Sequence, residues 1–215
     1  LTGKQVLHHY GALCKVLRND RNARASSLLS RLGLAGWENK KVSTYSKGML
    51  QRLGIAQALI NDPKLLILDE PTTGLDPQAR HLVWQRIRLL KSQGITILLS
   101  SHYMEEATAL CDRLVIMDSG RMVAEGAPAE LVRRYVGAEV VEIPVGPIQE
   151  DHERIVNTLR QRGLEPEEAG ERLVLYESDG TVPTAEMAPL ELLHRPANLE
   201  DVFLRLTGRG LQEES

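Results

Sequence analysis

Two short runs of apolar residues, separated by one amphipathic helix, constrain the fold more than any other feature of this sequence. The first run is LLILD at 65–69 and the second is ITILLSS at 95–101. Apolar runs of this length without alternation are typical of strands covered on both faces. The intervening helix, at 77–92, is predicted to begin at Pro77 and to be closed by Gly94. A strand, a helix and a second strand predict a parallel pair joined by a crossover.

The sequence before these runs predicts only helices. Thr2 and Gln5 form a possible capping box for a first helix that extends to Leu17, and a second helix fits residues 20–33. Ser46 can cap a third helix, which ends at the Asn-Asp-Pro sequence that follows it. Cys14 and Cys111 lie far apart at helix-like apolar spacings, so we expect both to be core thiols.

The sequence after the second apolar run predicts a helix, then a hairpin with its turn at Asp118, Ser119 and Gly120. Near Gly137 the pattern changes to short strands, a polar helix and a final helix at 199–207. This change predicts a small α+β unit at the end of the chain. We therefore expect three regions: a helical region at 1–62, an α/β region at 63–137 and a C-terminal accessory domain at 138–215.

Charge and hydropathy limit the possible partners. The formal net charge is -3 and no basic block occurs, so we do not expect nucleic acid to be the main partner. No apolar run approaches the roughly 20 residues that a membrane-spanning helix needs. The sequence therefore predicts an intracellular chain that does not itself cross a membrane.

Two acids follow the first predicted strand directly. Asp69 would emerge at the carboxyl edge of a parallel sheet, where open α/β sheets bind their ligands. In phosphoryl-transfer ATPases such an acid supports Mg²⁺, and the next one, here Glu70, can activate the attacking water. The alternative is a surface turn after a core strand, because strands that end in acids are common.

A histidine follows the second predicted strand. His102 could reach a phosphate that Asp69 and Glu70 serve, because the carboxyl ends of neighbouring parallel strands share one edge. The alternative is a structural histidine at a strand end. In YSKGM, at 45–49, the start of the third helix could hold a phosphate with its amides, or it could be a helix cap only.

The order of these motifs resembles that of an ABC-type ATPase domain, from the first helix to about residue 136. In this family a signature motif opens a helix, a Walker B strand and a D-loop follow, and a switch histidine ends the next strand. The matching residues are Tyr45, Ser46, Lys47, Gly48 and Met49 for the signature motif, 65–70 for Walker B, Gly74, Leu75 and Asp76 for the D-loop, and His102 for the switch.

The resemblance implies an α/β fold: part of a P-loop NTPase (RecA-like) parallel sheet with an ABC helical subdomain, followed by the small α+β domain. It implies ATP and Mg²⁺ as cofactors, and a head-to-tail dimer with a second ABC ATPase domain. Glu70 would polarise the attacking water, His102 would contact the γ-phosphate, and Asp69 would support Mg²⁺, through water. The signature motif would face the partner's nucleotide, and Asp76 would couple the two sites.

Two features indicate which branch of the family the chain resembles. The third signature position is usually Gly, whereas here it is Lys47, a variation that the drug, lipid and polysaccharide exporter branch tolerates. The tail at 195–209 looks like the C-terminal end of the ATPase subunits of nodulation-factor exporters and related type 2 ABC exporters. This resemblance implies a separate ABC-2 type membrane permease and a cytoplasmic location on the inner face of the cell membrane.

The phosphate loop of the family, Gly-x-x-Gly-x-Gly-Lys-Ser/Thr, does not occur in the 215 residues. We therefore expect the chain to begin inside the domain, at its helical part, and expect these residues alone to be inactive. Two alternatives stay open. One is a catalytically silent module that offers only its signature face to a partner's ATP site, and the other is a non-transport ABC ATPase of DNA repair or translation.

Overall fold

The computed structural model describes residues 1–145, 149–169, 172–176 and 192–208. The chain forms two compact units, Leu1–His102 and Tyr103–Ser215. The three regions expected from the sequence stay a prediction about its organisation. Parts of the accessory domain expected at 138–215, including the last residue of the tail at 195–209, lie outside the described residues.

The first unit begins with three α-helices and one turn of 3-10 helix. The predicted capping box is confirmed, since the Gln5 amide donates to Thr2 Oγ1 (3.3 Å) and the Thr2 amide donates to Gln5 Oε1 (2.9 Å). The predicted Ser46 cap is also confirmed. The elements are α1 (Gly3–Leu13), α2 (Arg18–Arg31), the 3-10 turn (Val42–Thr44) and α3 (Lys47–Ala58).

The first helix ends at Leu13, earlier than predicted, because Lys15 adopts a left-handed backbone conformation (φ 58°). The prediction that Cys14 is a core thiol was wrong, since it lies in this turn and is exposed. Its neighbours Leu13 and Leu17 are 64% and 72% exposed. The helical spacing of these apolar residues therefore did not indicate burial, because the first helix ends before the predicted apolar face is complete. Cys111 is half-buried.

The predicted parallel pair is confirmed. Strand β1 (Leu65–Asp69) pairs with β2 (Thr96–Ser100), and helix α4 (Pro77–Ser92) connects them. The prediction that both faces of these strands are covered was wrong, because the residues of β1 alternate between buried and exposed. The buried residues are Leu66 and Leu68, whereas Leu65 (50%), Ile67 (66%) and Leu98 (59%) expose their side chains. The structure therefore covers one face of this pair.

The second unit begins with helix α5 (Met104–Leu110) and the predicted hairpin of β3 (Leu114–Asp118) and β4 (Arg121–Gly126). Ser119 and Gly120 both have positive φ angles, 49° and 72°, as a two-residue hairpin turn requires. Helix α6 (Pro128–Tyr135) follows.

The C-terminal sheet and its helices are β5 (Glu139–Pro144), α7 (Gln149–Gln161), β6 (Glu167–Ala169), β7 (Arg172–Tyr176), β8 (Leu193–Pro196) and α8 (Leu199–Thr207). The sheet is antiparallel, with the strand order β6-β7-β5-β8. Helix α8 follows the edge strand β8; Asn198 caps it, and Gly208 ends it in the left-handed conformation (φ 67°), as predicted.

A buried ion network joins this sheet to α8. Arg195 donates to Glu142 (2.6 Å) and, through two nitrogens, to Asp201 (2.8 and 2.6 Å), while Arg172 donates to the other Glu142 oxygen (2.6 Å). Glu142 and Asp201 are 5% and 3% exposed. Burial alone would raise the pKa of Glu142, but the hydrogen bonds and charges of the two arginines outweigh it and hold this pKa below its usual value.

Replacing Tyr176 by Phe is expected to stabilise the chain by about 1 kcal/mol, because a buried hydroxyl without a hydrogen bond carries a desolvation cost. The Tyr176 hydroxyl has no hydrogen-bond partner among the described residues, and burial raises its pKa. The ring would keep its contact with Arg205, whose guanidinium lies 4.8 Å from the ring centroid. Urea unfolding measures the change, with Tyr10→Phe on the surface as the control. A loss of stability would show that the hydroxyl is bonded in solution.

No helix in the described ranges combines the length and the apolar content that spanning a bilayer requires.

Candidate functional site

The two acids and the histidine meet at one edge of the parallel pair. Asp69 and Ser100 are each the last residue of a strand, and they are register partners in the parallel pair. The Ser100 hydroxyl donates a hydrogen bond to Asp69 Oδ1. The Glu70 amide donates to the Ser100 carbonyl oxygen (3.1 Å). The strand ends are therefore tied together at the position where the sequence predicted a site.

Glu70 and His102 form a direct pair. His102 Nδ1 lies 2.8 Å from Glu70 Oε2, and the side chains are 53% and 37% exposed, so water can reach both. The Thr73 hydroxyl donates to the same Glu70 oxygen (2.8 Å). Histidine and threonine together fix the direction of this carboxylate, as a base that acts on a water molecule requires.

Glu70 occupies a strained backbone conformation. Its φ angle is 46°, in the left-handed region that costs a residue with a side chain about 1–3 kcal/mol. The Thr73 amide donates to the Glu70 carbonyl oxygen (3.3 Å), which closes a turn directly after the strand. Such strain persists only where the surrounding structure imposes it, and here the turn places the carboxylate beside His102.

The predicted D-loop continues this turn. Gly74 adopts a left-handed conformation (φ 67°), and Leu75, which is 8% exposed, anchors the loop in the core. Asp76 caps α4, because its Oδ1 accepts a hydrogen bond from the Ala79 amide (2.8 Å). The loop is therefore held at both ends while Gly74 and Asp76 themselves are exposed.

The predicted signature motif has a buried and an exposed part. Tyr45 is 7% and Met49 is 9% exposed, and the Tyr45 hydroxyl donates to the Trp37 carbonyl oxygen (2.7 Å). Burial, and then the charge of Glu38, raise the pKa of Tyr45. These two side chains position the motif, whereas Ser46 and Lys47 are exposed at the N-terminal end of α3.

The signature motif and the D-loop lie against each other within the first unit. A Cβ added at Gly74 would collide with the Lys47 ammonium, and one added at Gly48 would lie 3.0 Å from the Ala79 Cβ. Glycine is required at Gly74 for both its positive φ and this close approach. The exposed residues of the two motifs therefore form one continuous surface.

The donor set at the strand ends suits Mg²⁺. Asp69 supplies one exposed carboxylate and Ser100 one hydroxyl oxygen, and hard oxygen ligands with several retained waters are what Mg²⁺ prefers. No group of three or more His, Cys, Asp or Glu side chains in the described ranges could hold a metal ion by itself.

The predicted site residues thus fall into two clusters. The first contains Asp69, Glu70 and His102, and the second contains the signature motif and the D-loop. Sequence reasoning missed Thr73 as a partner of Glu70 and Ser100 as a partner of Asp69. The strand pairing could have indicated Ser100, and a threonine three residues after the acid is a common turn position that could have indicated Thr73.

Comparison with known proteins matches both ends of the chain to family models. The model described as "ABC transporter" matches residues 4–73, and the model described as "Nodulation factor export protein NodI, C-terminal domain" matches residues 149–208.

Curated relatives named "Nod factor export ATP-binding protein I" match along most of the chain. The one from Rhizobium etli is 49% identical over 200 residues, which cover 91% of this chain and 62% of the relative. The one from Burkholderia lata is 50% identical over 188 residues, which cover 85% of this chain and 60% of the relative. The one from Rhizobium johnstonii is 45% identical over 215 residues, which cover 99% of this chain and 68% of the relative. The chain thus spans about three fifths to two thirds of these relatives.

A solved structure is similar to 60% of the chain. It is the ADP conformation of MJ1267, an ATP-binding cassette of an ABC transporter, with a TM-score of 0.54, 26% identity and 56% of its own chain covered. This likeness confirms the predicted α/β class.

Proposed function

Because this chain belongs to the Nod factor export ATP-binding proteins, a family of ABC transporter subunits, we propose that it is part of the subunit that hydrolyses ATP to drive an exporter. The observation that carries this proposal is the 2.8 Å pair of Glu70 and His102 beside Asp69, at the end of two parallel strands. A base that is fixed by a histidine and open to water matches the chemistry of phosphoryl transfer to water.

In the proposed reaction Glu70 polarises the attacking water through its carboxylate. Thr73 and His102 hold this carboxylate, which removes its freedom to rotate away from the water. The Nδ1 atom of His102 faces Glu70, so we assign the contact with the γ-phosphate to Nε2. Asp69 would hold Mg²⁺, through water, and this ion supplies charge neutralisation on the phosphates when it is bound.

The second cluster serves a nucleotide that another ATPase domain holds. Ser46 and Lys47 are exposed at the start of α3, where unpaired amides and the helix dipole favour an anion. Tyr45, Gly48 and Met49 support them from within the unit. In the loop of Gly74, Leu75 and Asp76, the buried Leu75 would hold the loop in place and Asp76 would couple the two sites across the interface of a head-to-tail dimer. A complete site therefore takes Glu70 and His102 from one subunit and Ser46 from the other.

The proposed exporter includes an ABC-2 type membrane permease as a separate chain. The ATPase dimer would lie in the cytoplasm, on the inner face of the cell membrane. The support for export is the match of residues 149–208 to the NodI C-terminal domain model, together with the relatives' names. ATP with Mg²⁺ is the proposed cofactor.

The 215 residues alone are expected to show no ATP hydrolysis above background. They contain no Gly-x-x-Gly-x-Gly-Lys-Ser/Thr loop, whose amides and lysine hold the β- and γ-phosphates in P-loop ATPases. Phosphate release from this chain, compared with its Glu70→Gln variant, measures this. Turnover that depends on Glu70 would contradict the prediction.

The proposed function itself is tested on the protein expressed from its complete reading frame. Hydrolysis of ATP and dimerisation that requires ATP are both expected. Dimerisation with a complete ATPase partner but without hydrolysis by this protein's own site would favour the catalytically silent module. Absence of both would overturn the proposal.

A further inference from the structure

Two arginine side chains meet beside a glycine of the first unit, and neither belongs to the clusters of the candidate site. Arg52 lies in α3 and Arg86 in α4. A Cβ built on Gly33 would lie 3.0 Å from Arg52 Nη1 and 2.9 Å from Arg86 Nη2, so both guanidinium groups approach this glycine. Two positive charges therefore lie side by side, although like charges repel each other.

The position of Arg52 has a local explanation. Its Nε donates to the Gly48 carbonyl oxygen (3.2 Å), and its Nη1 donates to those of Leu32 (3.2 Å) and Gly33 (2.9 Å). The carbonyl groups at the end of α2 thus hold this guanidinium at the negative end of the helix dipole. Burial, and then the charge of Arg86, lower the pKa of Arg52.

Arg86 lacks a comparable explanation. Its side chain is half-buried, and its buried Nε has no hydrogen-bond partner among the described residues. Its Nε and Nη2 lie 3.4 and 2.9 Å from the Cβ position of Gly33, so the same edge of the guanidinium faces this glycine. This edge is the one that binds an oxyanion through two parallel hydrogen bonds. Because buried polar groups are normally bonded, the orphaned Nε indicates an external acceptor.

The helices around the two arginines offer no acid to neutralise them. The sequences of α3 and α4 contain no Asp or Glu, and α2 contains only Asp20, in its first turn, whereas Gly33 follows its last turn. A phosphate group carries about two negative charges near neutral pH and several acceptor oxygens. It therefore matches two guanidinium groups better than a carboxylate, which carries one charge.

We propose that Arg52 and Arg86 form a binding site for a phosphate group, either the free ion or a monoester. Arg86 donates to it from Nε and Nη2. Arg52 donates from Nη2, because its other two nitrogens already hold carbonyl oxygens. The absence of a side chain at Gly33 allows the ligand to approach both groups. This site is separate from the proposed ATP chemistry.

The test follows the midpoint of thermal unfolding of the protein expressed from its complete reading frame. Inorganic phosphate is titrated, and chloride is adjusted to keep the ionic strength constant. A saturable rise of about 2–3 °C is expected at about five times the Kd. Arg86→Met is expected to weaken phosphate binding at least about tenfold, because two charge-assisted hydrogen bonds are lost. Arg86→Lys keeps the charge without the planar fork and is expected to lose part of this affinity.

The matched control is Arg88→Met, which removes an exposed arginine from the same helix and is expected to keep the affinity for phosphate. No rise with phosphate, or an equal rise in the unmodified protein and both methionine variants, would overturn the site. Equal losses in Arg86→Met and Arg88→Met would mean a general effect of charge and would also overturn it.

A structural role of Arg86 predicts a different result. In chloride alone, Arg86→Met is expected not to lower the midpoint, since it removes an unbonded buried group from beside a like charge. A lowered midpoint with unchanged affinity for phosphate would leave Arg86 a structural role only and would overturn the site.

Glycerol 3-phosphate distinguishes the two sources of the phosphate group. Tighter binding of this ester than of inorganic phosphate would support the site with a monoester as its ligand, and the reverse order would support it with the free ion. None of these measurements uses ATP hydrolysis, so the site and the proposed function can fail separately.

Discussion

Replacing Glu70 by Gln in the complete protein is expected to lower kcat for ATP hydrolysis at least about a hundredfold, which is the usual contribution of a positioned general base. Glutamine can still accept from the Thr73 hydroxyl, so the turn after β1 keeps its hydrogen bond. What is lost is the basic carboxylate that polarises the water in the proposed reaction. Phosphate release at saturating ATP measures the loss, and ATP-dependent dimers are expected to accumulate because binding continues while hydrolysis stops.

The control for this variant is Glu153→Gln, which makes the same change at an exposed position of α7. It is expected to retain the kcat of the unmodified protein. Equal kcat values for Glu70→Gln and the unmodified protein would remove Glu70 from the reaction.

The second large effect concerns stability. Arg195→Met is expected to lower the free energy of unfolding by about 3–5 kcal/mol, because removing one partner leaves buried charges uncompensated. Arg195 donates to both Glu142 and Asp201, whose side chains are only 7% and 4% exposed. Urea unfolding at neutral pH measures the loss. Arg172→Met is the matched control with a smaller expected effect, since Arg172 is 58% exposed and Arg195 would still hold Glu142.

The stability contribution of the network also depends on pH. The pKa of Glu142 is lowered in the folded chain, so its contribution is present above the unfolded-state pKa and is lost as the pH falls through the folded-state pKa. The penalty of Arg195→Met is therefore expected to shrink in acid, where Glu142 is protonated in both proteins. A penalty that is independent of pH, or equal for the two arginine variants, would contradict the role of this network.

The parts of the fold that follow from neighbouring residues could be predicted from the sequence. The caps at Thr2, Ser46 and Asn198 are confirmed, because each depends on a side chain and an amide at most three residues away. The parallel pair is confirmed for a similar reason, since two short apolar runs around one helix leave few other topologies.

Features that depend on distant residues could not be predicted. The partners Glu142 and Arg195 are 53 positions apart, and no local pattern indicates that they meet. The exposure of Cys14 and of alternate residues in β1 depends on which other parts of the chain pack against them. An apolar pattern indicates only that a surface can be buried, not that another element buries it.

The candidate site also contains some features that the sequence predicts and others that depend on distant residues. The order of the motifs in the sequence indicated the acids, the histidine and the signature motif. The structure places Glu70 beside His102, as the shared edge of two parallel strands requires. The approach of Lys47 to Gly74 depends on the packing of α3 near the start of α4, and no spacing in the sequence encodes it.

The left-handed backbone of Glu70 has an evolutionary consequence. This conformation is costly for glutamate and nearly free for glycine, so a change from Glu70 to Gly relieves strain while it removes the proposed base. Selection for folding alone would accept such a change, and only selection for turnover opposes it. Variants of this chain that lack the Glu70 side chain can therefore remain well folded, so a stable fold would not by itself indicate the proposed activity.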